Sequence, residues 1–124
     1  MENILRLKSY KFALRIVEMY KLLSSERKEF VLSKQVLRSG TSVGALIKEA
    51  EHAQSKADFL NKMNIALKEI NETEYWLMLL KDSSYLSLTE YESINKDCVE
   101  LIRLLASTVK TLKESLKRQL KTES

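Results

Sequence analysis

Gln35-Val36-Leu37-Arg38-Ser39-Gly40-Thr41-Ser42-Val43-Gly44-Ala45 opens the stretch that decides the fold, and Ser55-Lys56-Ala57-Asp58-Phe59 through Glu72-Thr73-Glu74-Tyr75-Trp76-Leu77 completes it. Val36, Gly40, Val43, Ile47 and Ala50 fall on one helical stripe that runs through the small residues without losing register. A glycine inside a helix costs about 1 kcal/mol against alanine, so two of them need a reason. The run admits a turn that splits the helix, a close helix crossing, or an exposed patch where a backbone or phosphate approaches. The unbroken register favours the close crossing.

Working outward, Phe59, Met63, Ala66, Ile70, Thr73, Leu77 and Leu80 alternate steps of four and three without a miss, the strongest periodic signal in the chain. Ser55-Lys56-Ala57-Asp58 before it resembles a capping box with Asp in place of Glu or Gln. Leu5, Phe12, Ile16, Met19 and Leu23 mark a helix upstream. Tyr91, Ile94, Cys98, Leu101, Leu105, Val109, Leu112, Leu116 and Leu120 mark another downstream, capped by Ser87 with Glu90 or by Thr89 with Glu92. The polar run Ser25-Glu26-Arg27-Lys28-Glu29 reads as a connection, with Ser33 as the N-cap that follows it. Helices are expected at roughly 4–23, 33–53, 55–82 and 88–120, and short connections make neighbours antiparallel. The expected fold is all-α: one domain, 1–124, an antiparallel up-down-up-down four-helix bundle.

Composition agrees. The 124 residues include no proline and two glycines, the usage of long helices. A single cysteine excludes an internal disulfide and a multi-thiolate metal cluster. The charged N-terminus is no secretory h-region and no apolar run approaches the roughly 20 residues of a membrane span, so a cytoplasmic location is expected.

Catalytic chemistry finds little support. Glu49-x-x-His52 has the spacing of a bundle metal ligand pair, but His52 is the only histidine and lies where its helix ends. Cys98 falls on a core stripe and reads as a packed thiol. Glu69 and Glu72 read as surface or inter-subunit partners. No metal, no cofactor and no enzymatic activity are expected.

The basic residues are the leading functional signal. Arg6, Lys8, Lys11 and Arg15 occupy the first half of the first helix, and Arg103, Lys110, Lys113, Lys117, Arg118 and Lys121 the last half of the fourth. In an antiparallel bundle those halves meet, concentrating a net charge of +4 at one end. The alternative is a solvated face whose cations complement the helix dipole, and no aromatic is interleaved to stack on bases. Arg38 can make an ion pair, line a pore or meet a phosphate. The third helix carries Leu60, Leu67 and Met78 to one side of its seam and Ile65 and Trp76 to the other. That width reads as a subunit interface, the alternative being a helix sunk deep in a monomer core.

Arg38-Ser39-Gly40-Thr41-Ser42-Val43-Gly44-Ala45, then Glu49-Ala50, Ser55-Lys56-Ala57-Asp58-Phe59, Ile65-Ala66-Leu67-Lys68-Glu69 and Glu72-Thr73-Glu74-Tyr75-Trp76-Leu77 occur in the order and spacing of a bacterial family. Over most of its length the chain resembles the proteins encoded by intervening sequences in bacterial 23S ribosomal RNA genes. Leu46 stands where that family commonly has Asn, and Lys48 where a small or acidic residue is usual. The resemblance implies an antiparallel four-helix bundle assembled as a homopentamer. It also implies kinship with the accessory variability protein of diversity-generating retroelements, a basic barrel that binds a reverse transcriptase and nucleic acid.

The expected function is therefore a homo-oligomeric, non-enzymatic bundle that binds RNA or DNA. Its phosphate contacts would come from Arg6, Lys8, Lys11, Arg15, Lys110, Lys113, Lys117, Arg118 and Lys121, with Arg38 a lesser contributor. The competing reading is a scaffold that recruits a protein partner through an apolar or charged face.

Overall fold

The four-three seam forms the buried face of a central helix. A computed structural model describes residues 2–123; Met1 and Ser124, the ends of the expected domain, lie outside the described residues. Four helices follow in order, α1 (Glu2–Ser25), α2 (Leu32–Ala50), α3 (Lys56–Asp82) and α4 (Leu88–Glu123). From the seam of α3, Met63, Ala66, Ile70, Thr73, Leu77 and Leu80 are buried, while Phe59 is half-buried at the open end. Each helix packs on its sequence neighbour, and α1 closes the ring on α4 through the sparsest of the four faces. Cross-helix partners run in opposite directions, Ser39 with Thr73 and Glu49 with Lys62 on α2 and α3, Lys8 with Glu100 and Arg15 with Asp97 on α1 and α4. This is the all-α, up-down bundle that the periodicity predicts.

Gly40 explains the close crossing. It is buried on α2 against α1, and a Cβ built there would lie 2.8 Å from Ile16 Cγ1. Gly44 sits more loosely, its virtual Cβ in ordinary contact with the Ser9 carbonyl oxygen at 3.5 Å. One buried polar cluster interrupts the apolar core where α2 meets α3. The Thr73 hydroxyl lies 2.8 Å from the Glu69 carbonyl oxygen and 2.9 Å from Ser39 Oγ, so both buried hydroxyls have a hydrogen-bond partner.

The helix ends are held by devices of different visibility in the sequence. At α4 the box is reciprocal: Ser87 Oγ accepts from the Glu90 N–H and Glu90 Oε1 from the Ser87 N–H, so the Ser87–Glu90 alternative holds. At α3, Ser55 Oγ accepts from the Asp58 N–H, but the shorter Asp58 carboxylate takes the N–H of Gln54 instead of the cap's own. The extended backbone at Ser55 forces the chain out of helix before it, and α2 stops at Ala50, short of the expected reach to about 53. At α2 the expected Ser33 cap gives way to Glu29. Ser33 lies inside the helix and donates to the Glu29 carbonyl, while the buried Glu29 carboxylate accepts from the N–H groups of Val31, Leu32 and Ser33. A carboxylate reaching forward thus supplies the acceptors that a serine at the boundary would have supplied one at a time.

Both long-chain turns end on a left-handed residue without glycine, Lys28 (φ 56°) and Ser84 (φ 70°). The Glu29 N–H then returns to the Leu23 carbonyl and the Leu86 N–H to the Leu80 carbonyl, which closes each helix C-terminus.

Candidate nucleic-acid interface

The start of α1 and the later part of α4 do share a pole, but the α1 cations meet acids there. Lys8 Nζ lies 3.0 Å from Glu100 Oε2. Arg15 bonds Asp97 Oδ2 at 2.7 Å and also reaches the Ser93 carbonyl and hydroxyl. Arg6 pairs with Glu51 at 3.4 Å, beyond the end of α2. These charges stitch the sparse α1–α4 face and the α2–α3 connection, leaving the exposed Lys11 as the α1 cation of the expected set without an ion pair.

A second stitch lies at the opposite pole. Arg27, from the polar run that reads as a mere connection, makes two bonds to the Glu90 carboxylate at 2.7 and 2.8 Å and a third to the Tyr85 carbonyl. The guanidinium together with the Ser87 N–H holds the Glu90 carboxyl well below its usual range, at about 2.

Arg38 sits on the α2–α3 face between Glu69, at 3.0 Å, and Glu72. Trp76 Nε1 donates to Glu72 and the Ser42 hydroxyl to Glu69, so the two carboxylates are held in place from both helices. Bonds from Trp76 and Arg38 keep the Glu72 carboxyl below its ordinary value, while Glu72 and Glu69 raise the Arg38 guanidinium above its own. Of the readings open for Arg38, the structure shows the ion pair.

The end of α4 is different. With Lys8 opposite Glu100, the start of α1 lies beside roughly residue 106 of α4, and about 25 Å of α4 runs past it at 1.5 Å per residue. Lys56 Nζ donates to Ser115 Oγ at 2.9 Å, which marks where the beginning of α3 still lies alongside. Lys110, Lys113, Lys117 and Arg118 are exposed on this overhang with no ion pair, and Lys121 is exposed beyond them.

The residues expected at a subunit interface divide. Ile65 and Met78 are exposed, at 36% and 44%, and Tyr75 beside them at 57%, whereas Leu60, Leu67 and Trp76 are partly buried against the core. A further apolar face lies on α1, where Ile4, Leu7, Tyr10 and Leu14 are about half exposed, and Leu7 and Tyr10 line a groove of about 760 Å³ together with Ala13, Gly44 and Ala45. Its spacing of three, three and four is present in the sequence. It is masked there because Leu5, Phe12, Ile16, Met19 and Leu23 already account for one buried stripe.

Among the described residues no group of three or more His, Cys, Asp or Glu side chains is arranged to hold a metal ion, and no helix is long and apolar enough to cross a membrane. His52 lies beyond α2, so it and Glu49 do not share a helical face. Cys98 is buried within hydrogen-bond reach of the Ile70 carbonyl, and burial, with Glu74 and Asp97 nearby, pushes its thiol up to about 12.

Residues 1–107 match the family model described as 23S rRNA-intervening sequence protein. The chain is also similar to a crystallised protein of unknown function, described as from the S23 ribosomal protein family of Bacteroides thetaiotaomicron. The two are 60% identical with a TM-score of 0.86, over 88% of this chain and 97% of that one. No curated protein matches. Lys110, Lys113, Lys117, Arg118 and Lys121 all lie past the last residue that the family model matches.

Proposed function

The chain belongs to the 23S rRNA-intervening sequence protein family, and on that premise we propose that it is a non-enzymatic, self-assembling bundle that binds RNA or another nucleic acid through the overhanging end of α4. One observation carries this reading. Lys110, Lys113, Lys117 and Arg118 stand exposed and unpaired on one helix end, whereas the α1 cations and Arg38 are largely spoken for by neighbouring acids. Unpaired cations gain most from phosphate, because each one neutralising a phosphate releases a condensed counterion. Lacking a stacking aromatic beside them, these cations read backbone charge without strong sequence preference. Lys121 lies on the same helix end, whereas Lys11 stands apart on α1.

Self-assembly makes weak contacts sufficient. Exposed apolar residues on α1 (Ile4, Leu7, Tyr10, Leu14) and on α3 (Ile65, Tyr75, Met78) are the surfaces that a second copy covers, and each added copy brings another basic helix end to the same strand. Fluorescence anisotropy with a labelled single-stranded RNA, repeated across a salt series, tests the reading. Reversal of Lys113, Lys117 and Arg118 to Glu is expected to lower the log-log salt slope by about 0.7 for each phosphate no longer neutralised. Unchanged RNA affinity in that variant rejects the assignment, and sedimentation as a lone protomer rejects the assembly.

A further inference from the structure

The sequence places Leu60 and Leu67 in one role and Lys110, Lys113 and Lys117 in another, yet all five line a single groove. It runs along the seam between the start of α3 and the end of α4, with a volume of about 510 Å³. Leu60 and Leu67 from α3 and Ala106, Val109, Leu116 and Leu120 from α4 form its apolar floor. Lys110, Lys113 and Lys117 line its edge with a single acid, Glu114, among them. We infer that this groove docks an acidic amphipathic helix from a partner protein, going beyond the nucleic-acid reading and resting on the floor that phosphate does not use.

Four physical points select that occupant. First, the floor keeps apolar surface in water, Leu120 at 65% exposure with Ala106 exposed and Leu60, Leu67 and Leu116 half-buried, and a polyanion contacting the lysines does not cover it. Second, every floor side chain is aliphatic, so no base can stack in the groove. Third, a second copy docked face to face brings its own Lys110, Lys113 and Lys117 against these, a like-charge contact that disfavours it. Fourth, the lysines recur at steps of three and four along one edge of α4, the repeat at which a helix laid alongside presents Asp or Glu. From Ala106 to Leu120 the floor extends about 21 Å at 1.5 Å per residue, room for about four helical turns. Because the groove is concave and its leucines other than Leu120 are only partly exposed, it suits a helix better than a flat lipid surface.

The test uses a capped synthetic peptide of about four helical turns, with leucines on one face flanked by glutamates, read by fluorescence anisotropy on the intact protein. A second peptide carries lysine at each glutamate position. The acidic peptide is expected to bind and the lysine peptide not. Leu116→Ser with Leu120→Ser is expected to weaken the acidic peptide by about tenfold or more while leaving RNA binding and the thermal midpoint near their original values. Lys113→Glu with Lys117→Glu is expected to abolish peptide binding. Failure of the acidic peptide to bind, equal binding of both peptides, or indifference to the leucine changes overturns the groove assignment. Binding of phosphatidylglycerol vesicles that is lost in the leucine variant, with no peptide binding, overturns it in favour of a lipid surface. Because the leucine changes touch the floor alone, loss of peptide binding with RNA binding intact separates this inference from the nucleic-acid reading.

Discussion

Gly40 and Gly44 are one helical turn apart on α2 and are expected to respond to the same substitution in opposite directions. At Gly40 a methyl group would meet Ile16 Cγ1 at 2.8 Å and Cγ2 at 3.0 Å. Those atoms belong to a β-branched side chain with no exposed surface, which has little freedom to yield. Gly40→Ala is expected to lose about 1–3 kcal/mol of stability by urea titration, overpacking outweighing the helix-propensity gain. Gly44→Ala, with its nearest neighbour at 3.5 Å, is expected to gain about 0.5–1 kcal/mol. Helical register across Gly40 and Val43 made the tight crossing readable in advance; which glycine touches the neighbour depends on the rotation of α1, which a single stripe does not specify.

Glu29 and Glu90 join Glu72 among the carboxylates held low by the fold, and both contribute to the acid response. Burial pushes the Glu29 carboxyl up, but the N–H groups of Leu32, Ser33 and Val31 outweigh it and leave it below its ordinary value. Glu90 is held at about 2 by Arg27 and the Ser87 N–H. Both carboxyls are depressed on folding, so the stabilisation is present above the ordinary carboxylate value of 4.5 and is lost as pH falls below it, for Glu90 through about 2. Urea titrations between these limits are expected to show falling stability, and Glu90→Gln to flatten the profile. Because Arg27 and Glu90 are each about one-third exposed, the contribution is about 1 kcal/mol after allowing for solvent screening. Glu29→Ala is expected to cost about 1–2 kcal/mol, since it strips the acceptors from three N–H groups at the start of α2.

At the scale of elements, the helices were readable and several of their ends were not. The seam from Met63 to Leu80 repeats often enough to outvote any local ambiguity, and Ser87-x-x-Glu90 states its own geometry. Glu29 lies three residues ahead of the helix it caps, inside a polar run that looks solvated until the chain folds back over it. The C-termini of α1 and α3 end on Lys28 and Ser84, where the expected signal is glycine. Ser84→Gly removes the Cβ from a left-handed backbone and is expected to add about 0.5–1 kcal/mol by thermal or urea melting, partly offset by the freer unfolded chain. The pairing of α1 cations with α4 acids was hidden for another reason. It depends on the register between elements about ninety residues apart in sequence, as in the 92-residue separation of Lys8 and Glu100.

For the whole molecule, the ring of helices is unevenly closed. α2 and α3 each have two well-packed flanks, whereas α1 and α4 share the sparse face, held by Lys8–Glu100, Arg15–Asp97 and Arg27–Glu90. Native-state hydrogen exchange is expected to report greater opening free energies for core amides of α2 and α3 than for those of α1. Salt is expected to narrow the protection of α1, because its ties to α4 are exposed ion pairs. Equal protection in all four helices contradicts this order.

Cys98 turns that cooperativity into a chemical stopwatch. Its thiol is shut between α3 and α4 and held protonated, so a maleimide finds no reactive sulfur while the bundle is intact. Alkylation therefore counts each excursion in which those two helices part, one irreversible mark per chain, with no probe to engineer and no second thiol to confuse the reading.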